Sequence, residues 1–592
     1  MKRILALLLV VALLLSACNS EAPVESEQES NHTVTENQEG TSAPETEFQF
    51  EGTTIHLSDD KILVNEEAIS TDASAAVYAA NDIVYYEDGK DFTYGEGTEE
   101  DEHSAEEAAA HTVVHITQPG SYALSGKLSA GQIAIDLGED AEEDPNAVVN
   151  LYLNGVDISC SVAPAVIFYN VYECGSKEEE SATHEVDTTE AGANVYLVDG
   201  SENTVNGSYV ARIYKSVELS EDGKSVVDSK KLHKYDAAFY SKKSMNLFGD
   251  TGVLNINAEN EGLDSELHLT INGGNININS GNDGINTNED YISVTTINGG
   301  TVNINVNGST GEGDGIDSNG WLVINGGKVI AAACGFSGDA GIDSDMGIHV
   351  NGGTVIATGN MYDRLEEGGQ NYAVFTFAQT QKGGQSYCFR NESGMELFSF
   401  TPANDFIYLI LSDPDMVEGT YSFWQGETQL ASNSGGAIGS GKPGMMGQRP
   451  NMQMPEGQNQ PPELPEGMKE GEIPQMPPEG QFSKDMLPEG ATRNEDGSIT
   501  LADGTILKME EIPGRNGMME QLQKNEDGTF TLPDGTVVTQ EELEQQMEQF
   551  RQEGGRGQRP NNMENGEIST EASPDFLIVN GANLFYNVAA LN

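Results

Sequence analysis

The chain has 592 residues, with 96 aspartates and glutamates against 29 lysines and arginines, which gives a formal net charge of −67 at pH 7. Phosphate recognition depends on clustered lysine and arginine, so this charge argues against nucleic-acid binding and against direct docking on anionic lipid headgroups. Hydrophobic residues make up 37% of the chain, below the value of about 45–50% in typical soluble domains. We therefore expect no nucleic-acid partner and a solvated surface that is compatible with cation binding.

The first residues are typical of a secretory signal. A basic start, Met1-Lys2-Arg3, precedes an apolar run at residues 4–15, which is too short to span a bilayer comfortably. The run ends in Leu-Ser-Ala-Cys18, which resembles the lipobox of bacterial lipoproteins. That resemblance implies cleavage before Cys18 and lipidation of its thiol; ordinary cleavage after Ala17 is the alternative. We expect an extracytoplasmic protein that is attached to the bacterial cell membrane through its lipid anchor only.

Composition divides the chain after the signal peptide, residues 1–18, into four segments. Residues 19–48 are rich in glutamate and contain no lysine or arginine, which predicts a disordered tether. Residues 49–432 carry regular strand and turn signals, whereas residues 433–570 are dominated by proline, glycine, methionine and glutamine and predict a largely disordered extension. Residues 571–592 are strand-like again and are suited to pair with the last repeat or to cap it.

The extension contains two further signals. Residues 494–505 and 525–536 are two copies of a short unit whose Asp-Gly pairs bracket short strands, so each copy predicts a hairpin. Residues 539–552 predict one short acidic helix that begins at a threonine cap.

The middle of the chain is repetitive. A turn glycine recurs at Gly252, Gly274, Gly300, Gly327 and Gly353, and from Gly274 onwards it ends an Asn-Gly-Gly triplet. The residues two and four positions beyond each glycine are apolar and alternate with other residues, as in a strand with one buried face: Leu254, Ile256, Ile276, Ile278, Val302, Ile304, Val329, Ala331, Val355 and Ala357. A repeat of about 26 residues leaves no room for a helix, so we predict a parallel β-helix. An antiparallel meander is the alternative, but it does not explain the constant register.

Several motifs resemble a known family when they are taken in order. They are HITQPGSYALSGKLSAGQIAID at residues 115–136, LYLNGVDIS at 151–159, GSENTVNGSY at 200–209, GVLNINA at 252–258 and EGLDS at 261–265. This order resembles the carbohydrate-binding-domain family of bacterial surface lipoproteins over roughly residues 52–426. The resemblance implies a right-handed parallel β-helix similar to that of polysaccharide lyases, together with calcium and polysaccharide binding. The chain departs from the family at polar insertions, residues 173–191 and 211–236.

A second motif, Gly-apolar-Asp or Gly-apolar-Asn, recurs in each repeat, follows an acidic residue in three of its four copies, and predicts two columns of oxygen-bearing side chains. The first column holds Glu261, Asp283 and Asp314; the second holds Asp264, Asn286, Asp317 and Asp343, and Asp345 adds a further acidic arm. Stacked strands lie about 4.8 Å apart, so bare carboxylates would repel each other and have raised pKa values. Calcium binds oxygen ligands at about 2.3–2.6 Å, which favours Ca²⁺ between the repeats. Capping of backbone amides by the aspartates is the alternative.

The outward positions of the repeated strands indicate a possible sugar surface. Asn277, Asn279, Asn303 and Asn305 would stack as amide columns, and Trp321 follows the Asp317 turn, where its ring is suited to stack on a sugar. A solvated ladder of asparagines that bond to one another, and a core role for Trp321, are the alternatives. The later outward residues Ile330 and Ile356 are apolar; we expect another segment to cover them, in the region of residues 361–385.

Three functions remain, and the first is our expectation. It is a non-catalytic, calcium-assisted lipoprotein of the cell surface that binds polysaccharides, of the acidic or plant type. The expected fold is all-β: a right-handed parallel β-helix with a largely disordered C-terminal extension. A calcium-dependent lyase needs a base beside its calcium, and residues 244–360 contain Lys328 as their single lysine or arginine. That alternative would require Lys328, Arg364 or a base that the sequence does not place. A structural adhesin or spacer that binds a protein partner is the third function.

Overall fold

The computed structural model describes residues 48–220, 223–435 and 572–591, together with six two-residue strands between positions 492 and 538. The predicted signal peptide, Cys18, almost all of the tether and the predicted helix at 539–552 lie outside the described residues. Within the part that is described, no helix has the length and apolar character that a membrane crossing requires. The architecture below is that of the unit Phe50–Asn592.

The all-β prediction is confirmed. Within the described residues there is one α-helix, Ala105–Ala109, and there are two short 3-10 helices, Glu139–Glu143 and Glu179–Ser181. The α-helix begins at Ser104, whose side chain accepts from the Glu107 amide while the Glu107 carboxylate accepts from the Ser104 amide. This reciprocal capping satisfies the first free amides of a helix that is only five residues long.

Three ladders of parallel strands organise residues 112–359, and two long strands, Gly120–Leu128 and Val149–Ser159, contribute to both the first and the second ladder. The first ladder continues through Ala193–Leu197, Met245–Gly249, His268–Ile271, Val294–Ile297, Trp321–Ile324 and Gly347–Val350. The second ladder continues through Glu202–Gly207, Val253–Ala258, Asn275–Ser280, Thr301–Val306, Lys328–Ala332 and Thr354–Gly359. The third ladder consists of Thr112–Ile116, Gly131–Asp136, Val166–Asn170, Ala237–Ser241, Glu261–Ser265, Ile285–Thr287 and Ile316–Ser318.

The chain visits the three ladders in turn, and each full repeat adds one strand to each ladder. The strands of successive repeats pair in parallel, not as the antiparallel hairpins of a meander. The Asn-Gly-Gly triplets turn the chain from the first ladder into the second, and the last glycine of each triplet has a positive φ, for example +83° at Gly300. A Cβ at Gly300 would also lie 2.5 Å from the carbonyl oxygen of Gly274. Both the turn and the close stacking of repeats therefore require glycine.

The predicted buried face of the repeated strands is confirmed. Leu254, Ile276, Val302, Val329 and Val355 are fully buried in one continuous apolar core. The partner residues two positions further on, from Ile256 to Ala357, are buried in the same core. Alternation places one side of each strand inside, while the asparagines between them face outwards.

The N-terminal end and the polar insertions add short elements around the ladders. Strand Thr53–Leu57 pairs in parallel with the first long strand, and it is followed by the antiparallel strands Leu63–Val64 and Glu67–Ala68. Strand Val77–Ala80 pairs antiparallel with the first strand of the third ladder. The insertion at residues 211–236 forms most of an antiparallel hairpin of strands Val210–Leu219 and Val226–Tyr235.

A largely antiparallel sheet follows the last repeat. Its strands are Tyr372–Gln381, Tyr387–Asn391, Glu396–Phe400, Phe406–Ser412, Gly419–Gln425, Thr428–Gly435, Phe576–Ile578 and Ala582–Ala590. Strand Phe406–Ser412 pairs with Thr354–Gly359, the last strand of the second ladder. This sheet surrounds a second apolar core that is rich in phenylalanine and that includes Ile356, with Ile330 packed against it. The outward isoleucines are thus covered, but by this whole sheet rather than by residues 361–385 alone.

The C-terminal segment returns to this sheet. Ala582–Ala590 pairs in parallel with Tyr372–Gln381 and antiparallel with Thr428–Gly435, and Phe576–Ile578 pairs with Gly419–Gln425. It therefore completes the terminal sheet and does not pair with Thr354–Gly359.

The two short repeats of the extension form three-stranded sheets and not simple hairpins. Each copy contains the middle strand, and the outer strands flank it. The first sheet consists of Thr492–Arg493, Ile499–Thr500 and Ile506–Leu507; the second consists of Gln523–Lys524, Phe530–Thr531 and Val537–Val538. All four pairings are antiparallel.

Candidate functional site

The two predicted acidic columns lie on the third ladder. In the second column, Asp264 is in register with Asn286, and Asn286 is in register with Asp317. Asp343 follows in the next repeat, where its amide donates to the carbonyl of Ile316 at 2.8 Å. Backbone bonds set the first column in the same way. The amide of Gly262, after Glu261, donates to the carbonyl oxygen of Asp283, and the amide of Gly284, after Asp283, donates to the carbonyl oxygen of Asp314. The repeated motif therefore brings the predicted side chains into two adjacent stacks.

One oxygen of each of two carboxylates in the first column caps a backbone amide. Asp283 Oδ1 accepts from the amide of Asp314 at 2.7 Å, and Asp314 Oδ1 accepts from the amide of Ala340 at 2.5 Å. These contacts fasten each repeat to the next. The capping role that the sequence left open is thus present, and it involves one of the two oxygens of each group.

Three carboxylates of consecutive repeats converge at one end of the columns. One oxygen from each of Asp314, Asp317 and Asp343 lies within 4.8 Å of the other two, and all three residues are half-buried. A set of hard oxygen donors at this separation suits a divalent cation such as calcium.

Burial and mutual repulsion raise the pKa values in this cluster. Loss of solvation is the largest cause at Asp283, Asp314 and Asp343, and the charges of neighbouring carboxylates come next. The pKa of Asp343 rises to about 7, and the pKa values of Asp283 and Asp314 lie well above the usual range. The charged neighbours that raise these pKa values are all carboxylates. A cation bound among them would relieve both costs.

The side-chain amide of Asn286 offers one further oxygen ligand next to the carboxylates. Asn286 is 6% exposed, and its Nδ2 donates to Glu261 Oε1 at 3.1 Å and to Asn288 Oδ1 at 3.2 Å. Asn288 in turn donates to Asp264 Oδ1 at 2.7 Å. The Oδ1 of Asn286 is buried and has no hydrogen-bond partner among the described residues. A buried acceptor without a donor is expensive, and an amide oxygen is a ligand that calcium accepts.

Two aspartates outside the repeated motif, Asp363 and Asp290, belong to this acidic region. Asp363 is half-buried, and its charge is the largest electrostatic contribution to the raised pKa of Asp343. Loss of solvation, and after it the charge of Asp290, raises the pKa of Asp345 at the edge of the cluster. Asp363 follows the last repeat and Asp290 lies in an inter-strand loop, so neither carries the repeated motif; only proximity in the fold identifies them.

The predicted sugar-binding asparagines lie on a different ladder from the acidic columns. Asn277, Asn279, Asn303 and Asn305 belong to the second ladder. Asn303 donates to Asn277 and Asn305 donates to Asn279, each at 2.9 Å. They form the mutually bonded amide ladder that the sequence left as the alternative. Trp321 is half-buried at the start of a first-ladder strand, in register with Val294 and Gly347.

The basic residues that a lyase would use are not on the acidic ladder. Lys328 lies in the second ladder, in register with Thr301 and Thr354. Arg364 follows Asp363, and its guanidinium lies 3.7 Å from the carboxylate of Glu367.

The two histidines of the repeats have structural contacts. His268 is buried in the first ladder, where its Nδ1 contacts the amide of Val294 at 3.1 Å, and burial lowers its pKa to about 4. His349 stacks on His184 of the first insertion with ring centroids 4.1 Å apart.

Part of the chain matches the model of a known family. Residues 110–371 match the model of a family described as carbohydrate-binding domain-containing protein. This segment holds the three parallel ladders and both acidic columns. No curated protein matches the chain.

The chain is also similar to a solved structure, that of a polysaccharide lyase-like protein from C. thermocellum, determined as a gadolinium derivative. The sequence identity is 20%, the alignment covers 54% of this chain and 92% of that chain, and the TM-score is 0.29.

Proposed function

We propose that this protein is a non-catalytic polysaccharide-binding lipoprotein of the bacterial cell surface, and that calcium in the acidic columns assists its binding. The family match of residues 110–371 supports the carbohydrate-binding part of the proposal. The convergence of Asp314, Asp317 and Asp343 within 4.8 Å is the observation that carries the calcium part.

Calcium has a structural role in this proposal. Asp314, Asp317 and Asp343 would hold the ion. Asn286, in register with Asp317, would add its unpartnered amide oxygen. Because these donors come from consecutive repeats, a bound cation would tie the repeats together and cancel the repulsion between them. We propose that the three ladders wind as a right-handed parallel β-helix, and the parallel register of successive repeats supports this.

Calcium has a second role in ligand binding. A protein with a net charge of −67 repels an acidic polymer, and charge repulsion of this kind slows encounter and weakens binding. A cation at the surface of the columns would present positive charge to the carboxylates of a uronic-acid polysaccharide. We therefore propose acidic or plant-type glycans as ligands.

The location follows from the N-terminal sequence. We propose that Cys18 carries the lipid and that residues 19–48 form a tether, which would hold the binding region outside the membrane. The apolar run at residues 4–15 and the Leu-Ser-Ala-Cys sequence support this part of the proposal.

Retention on immobilised glycans tests the proposal. The chain from residue 19 onwards keeps both the ladders and the C-terminal strands of the terminal sheet, which a fragment ending at residue 435 would lack. We expect retention on insoluble acidic plant polysaccharide in calcium, and release when a chelator is added. A control without a glycan matrix excludes retention by the support.

Three other outcomes are informative. Retention that ignores the chelator would contradict the role of calcium while leaving polysaccharide binding intact. Absence of retention on every glycan would contradict polysaccharide binding and would favour a structural role. Release of unsaturated oligosaccharides from polygalacturonate would contradict the non-catalytic assignment.

A further inference from the structure

A groove lined by tyrosines lies beside the first strands of the third ladder. Its volume is about 700 Å³, and the tyrosines in its lining are Tyr85, Tyr94, Tyr169, Tyr214 and Tyr235. The first four are half-buried, so part of each ring faces solvent, whereas Tyr235 is buried. An amphipathic ring of this kind offers an apolar face and a hydroxyl group at low conformational cost.

The walls of the groove come from two segments outside the ladders. One wall is the loop that carries Tyr85 and Tyr94, and the other is the hairpin that carries Tyr214. The two walls are bonded to each other, because the amide of Tyr214 donates to the carbonyl of Tyr94 at 2.8 Å and the amide of Glu96 donates to the carbonyl of Arg212 at 2.8 Å. The second insertion thus has a defined position, and it closes one side of the groove.

The floor of the groove continues towards the acidic columns. His115, Ala134 and Ile167 line the floor and are in register along the third ladder. Ile167 is in register with Tyr240, and Tyr240 is in register with Asp264 of the second acidic column. With strands about 4.8 Å apart, the path from His115 to Asp264 crosses four strand spacings, or about 19 Å. Ile167, Tyr240 and Asp264 are buried, so the groove and the acidic columns are separate sites on the same ladder.

The charges of the groove differ from those that an acidic sugar needs. Its described lining contains the carboxylates Asp82, Glu87 and Asp136 and one histidine. Two ammonium groups border the lining: Lys90 lies over the ring of Tyr94, 5.0 Å from its centroid, and pairs with Glu87, and Lys242 lies 4.4 Å from the ring centroid of Tyr169. The three carboxylates outnumber these two ammonium groups. Asp82 Oδ1 lies 2.8 Å from His115 Nε2. Carboxylates accept hydrogen bonds from hydroxyl groups but repel uronate carboxylates. The lining therefore favours an uncharged sugar with many hydroxyl groups.

We propose that the tyrosine-lined groove binds neutral sugar residues of a polysaccharide, independently of calcium. Ring faces stack on the apolar faces of the sugars, and the carboxylates and tyrosine hydroxyls bond to sugar hydroxyls. The groove and the acidic columns are then two separate binding sites of one protein, one for neutral and one for acidic sugars. This inference rests on the proposed polysaccharide-binding function and assigns a second subsite to it.

Affinity electrophoresis of the chain from residue 19 onwards tests the groove, with soluble glucomannan as the neutral probe and polygalacturonate as the acidic one. We expect Tyr85→Ala and Tyr214→Ala each to weaken glucomannan binding by about tenfold. The matched control is Phe92→Ala, which removes a 49% exposed ring from the same loop without touching the groove lining. A second variant, Ala134→Trp, fills the floor and is expected to abolish glucomannan binding while all five tyrosines remain.

The acidic probe separates this inference from the proposed function. We expect chelator to leave glucomannan binding unchanged, and the tyrosine variants to keep calcium-dependent polygalacturonate binding within about twofold of wild type, since the two sites are distant. Glucomannan binding that is unchanged in both tyrosine variants and in Ala134→Trp would overturn the proposal that the groove binds neutral sugars. So would a wild-type chain that binds polygalacturonate but not glucomannan. Failure to bind either probe would overturn the proposed function together with this inference.

Discussion

At the scale of single residues, the carboxylates of the acidic columns repel one another. Asp283, Asp314 and Asp343 each lose solvation and face other carboxylates, and for these reasons the pKa of each is raised. Groups of this kind destabilise the fold when they are ionised without a counter-ion. The site is therefore expected to weaken the repeats without calcium and to stabilise them with it.

Substitution of Asp314 by asparagine separates these two effects. Asp314→Asn keeps an oxygen that can accept from the amide of Ala340 but removes one negative charge from the cluster. In chelator, we expect the melting temperature to rise above that of wild type. At calcium concentrations about 100 times Kd, wild type is expected to gain about 2.7 kcal/mol in free energy of unfolding, and the variant to lose most of that gain.

The matched control removes the same charge elsewhere. Asp250→Asn changes an exposed carboxylate outside the third ladder, and we expect it to keep the full calcium response. An Asp314→Asn chain that calcium stabilises as much as wild type would contradict the assignment of the cluster.

The pH dependence of stability gives a second test at this scale. The pKa of Asp343 rises from 3.8 to about 7 on folding, so between these values the folded chain holds a proton that the unfolded chain has lost. The free energy of unfolding then falls as pH rises from 4 to 7 in chelator. Below pH 4 this contribution is fully present. In thermal melts, we expect calcium to oppose this loss of stability and Asp343→Asn to make stability less dependent on pH. A stability that rises with pH in chelator, in wild type and variant alike, would contradict the raised pKa of Asp343.

At the scale of elements, the repeated strands could be predicted and the terminal sheet could not. Alternation of apolar residues such as Ile276 and Ile278 fixes which face of a strand is buried, and the repeat period fixes the register. The partner of Ala582–Ala590 is Tyr372–Gln381, about 210 residues earlier in the chain. No local pattern encodes a pairing over that distance, so the sequence identified a terminal strand but not its neighbours.

Phe585 tests whether the C-terminal strand is part of the folded core. It is 3% exposed, and its ring lies 5.2 Å from that of Phe375 and 5.0 Å from that of Phe576. We expect Phe585→Ala to lower the free energy of unfolding by about 3–5 kcal/mol, measured by denaturant titration. Leu577→Ala in the same segment is the control, because Leu577 is 59% exposed. Equal stability of the two variants would show that the strand does not support the core.

At the scale of the whole molecule, the sequence predicts the site residues that belong to the repeated motif but not those that join the site from other segments. The acidic columns follow from one motif in successive repeats, so stacking alone brings Asp264, Asn286 and Asp317 together. Asp363 joins them from the loop after the last repeat. The tyrosine groove collects residues from several separate segments, and a sequence without an alignment gives no sign that they meet.

Membrane attachment is tested on the intact chain in a bacterial host that processes lipoproteins. We expect wild type to sediment with membranes and to incorporate labelled fatty acid. Cys18→Ser removes the thiol that the lipid would modify and is expected to move the protein to the soluble fraction. Cys174→Ser, which removes a cysteine far from the N-terminus, is the control. A Cys18→Ser chain that remains on membranes would contradict a lipid anchor at this residue.

The most direct test of the central claim is the affinity for calcium, measured by calorimetry with and without saturating polygalacturonate. If calcium in the columns bridges protein and glycan, each ligand must strengthen the binding of the other by the same factor. We expect calcium to bind the free chain and to bind more tightly when the glycan is present, with Asp314→Asn losing both effects. A calcium affinity that polygalacturonate leaves unchanged, or the absence of calcium binding, would contradict the account.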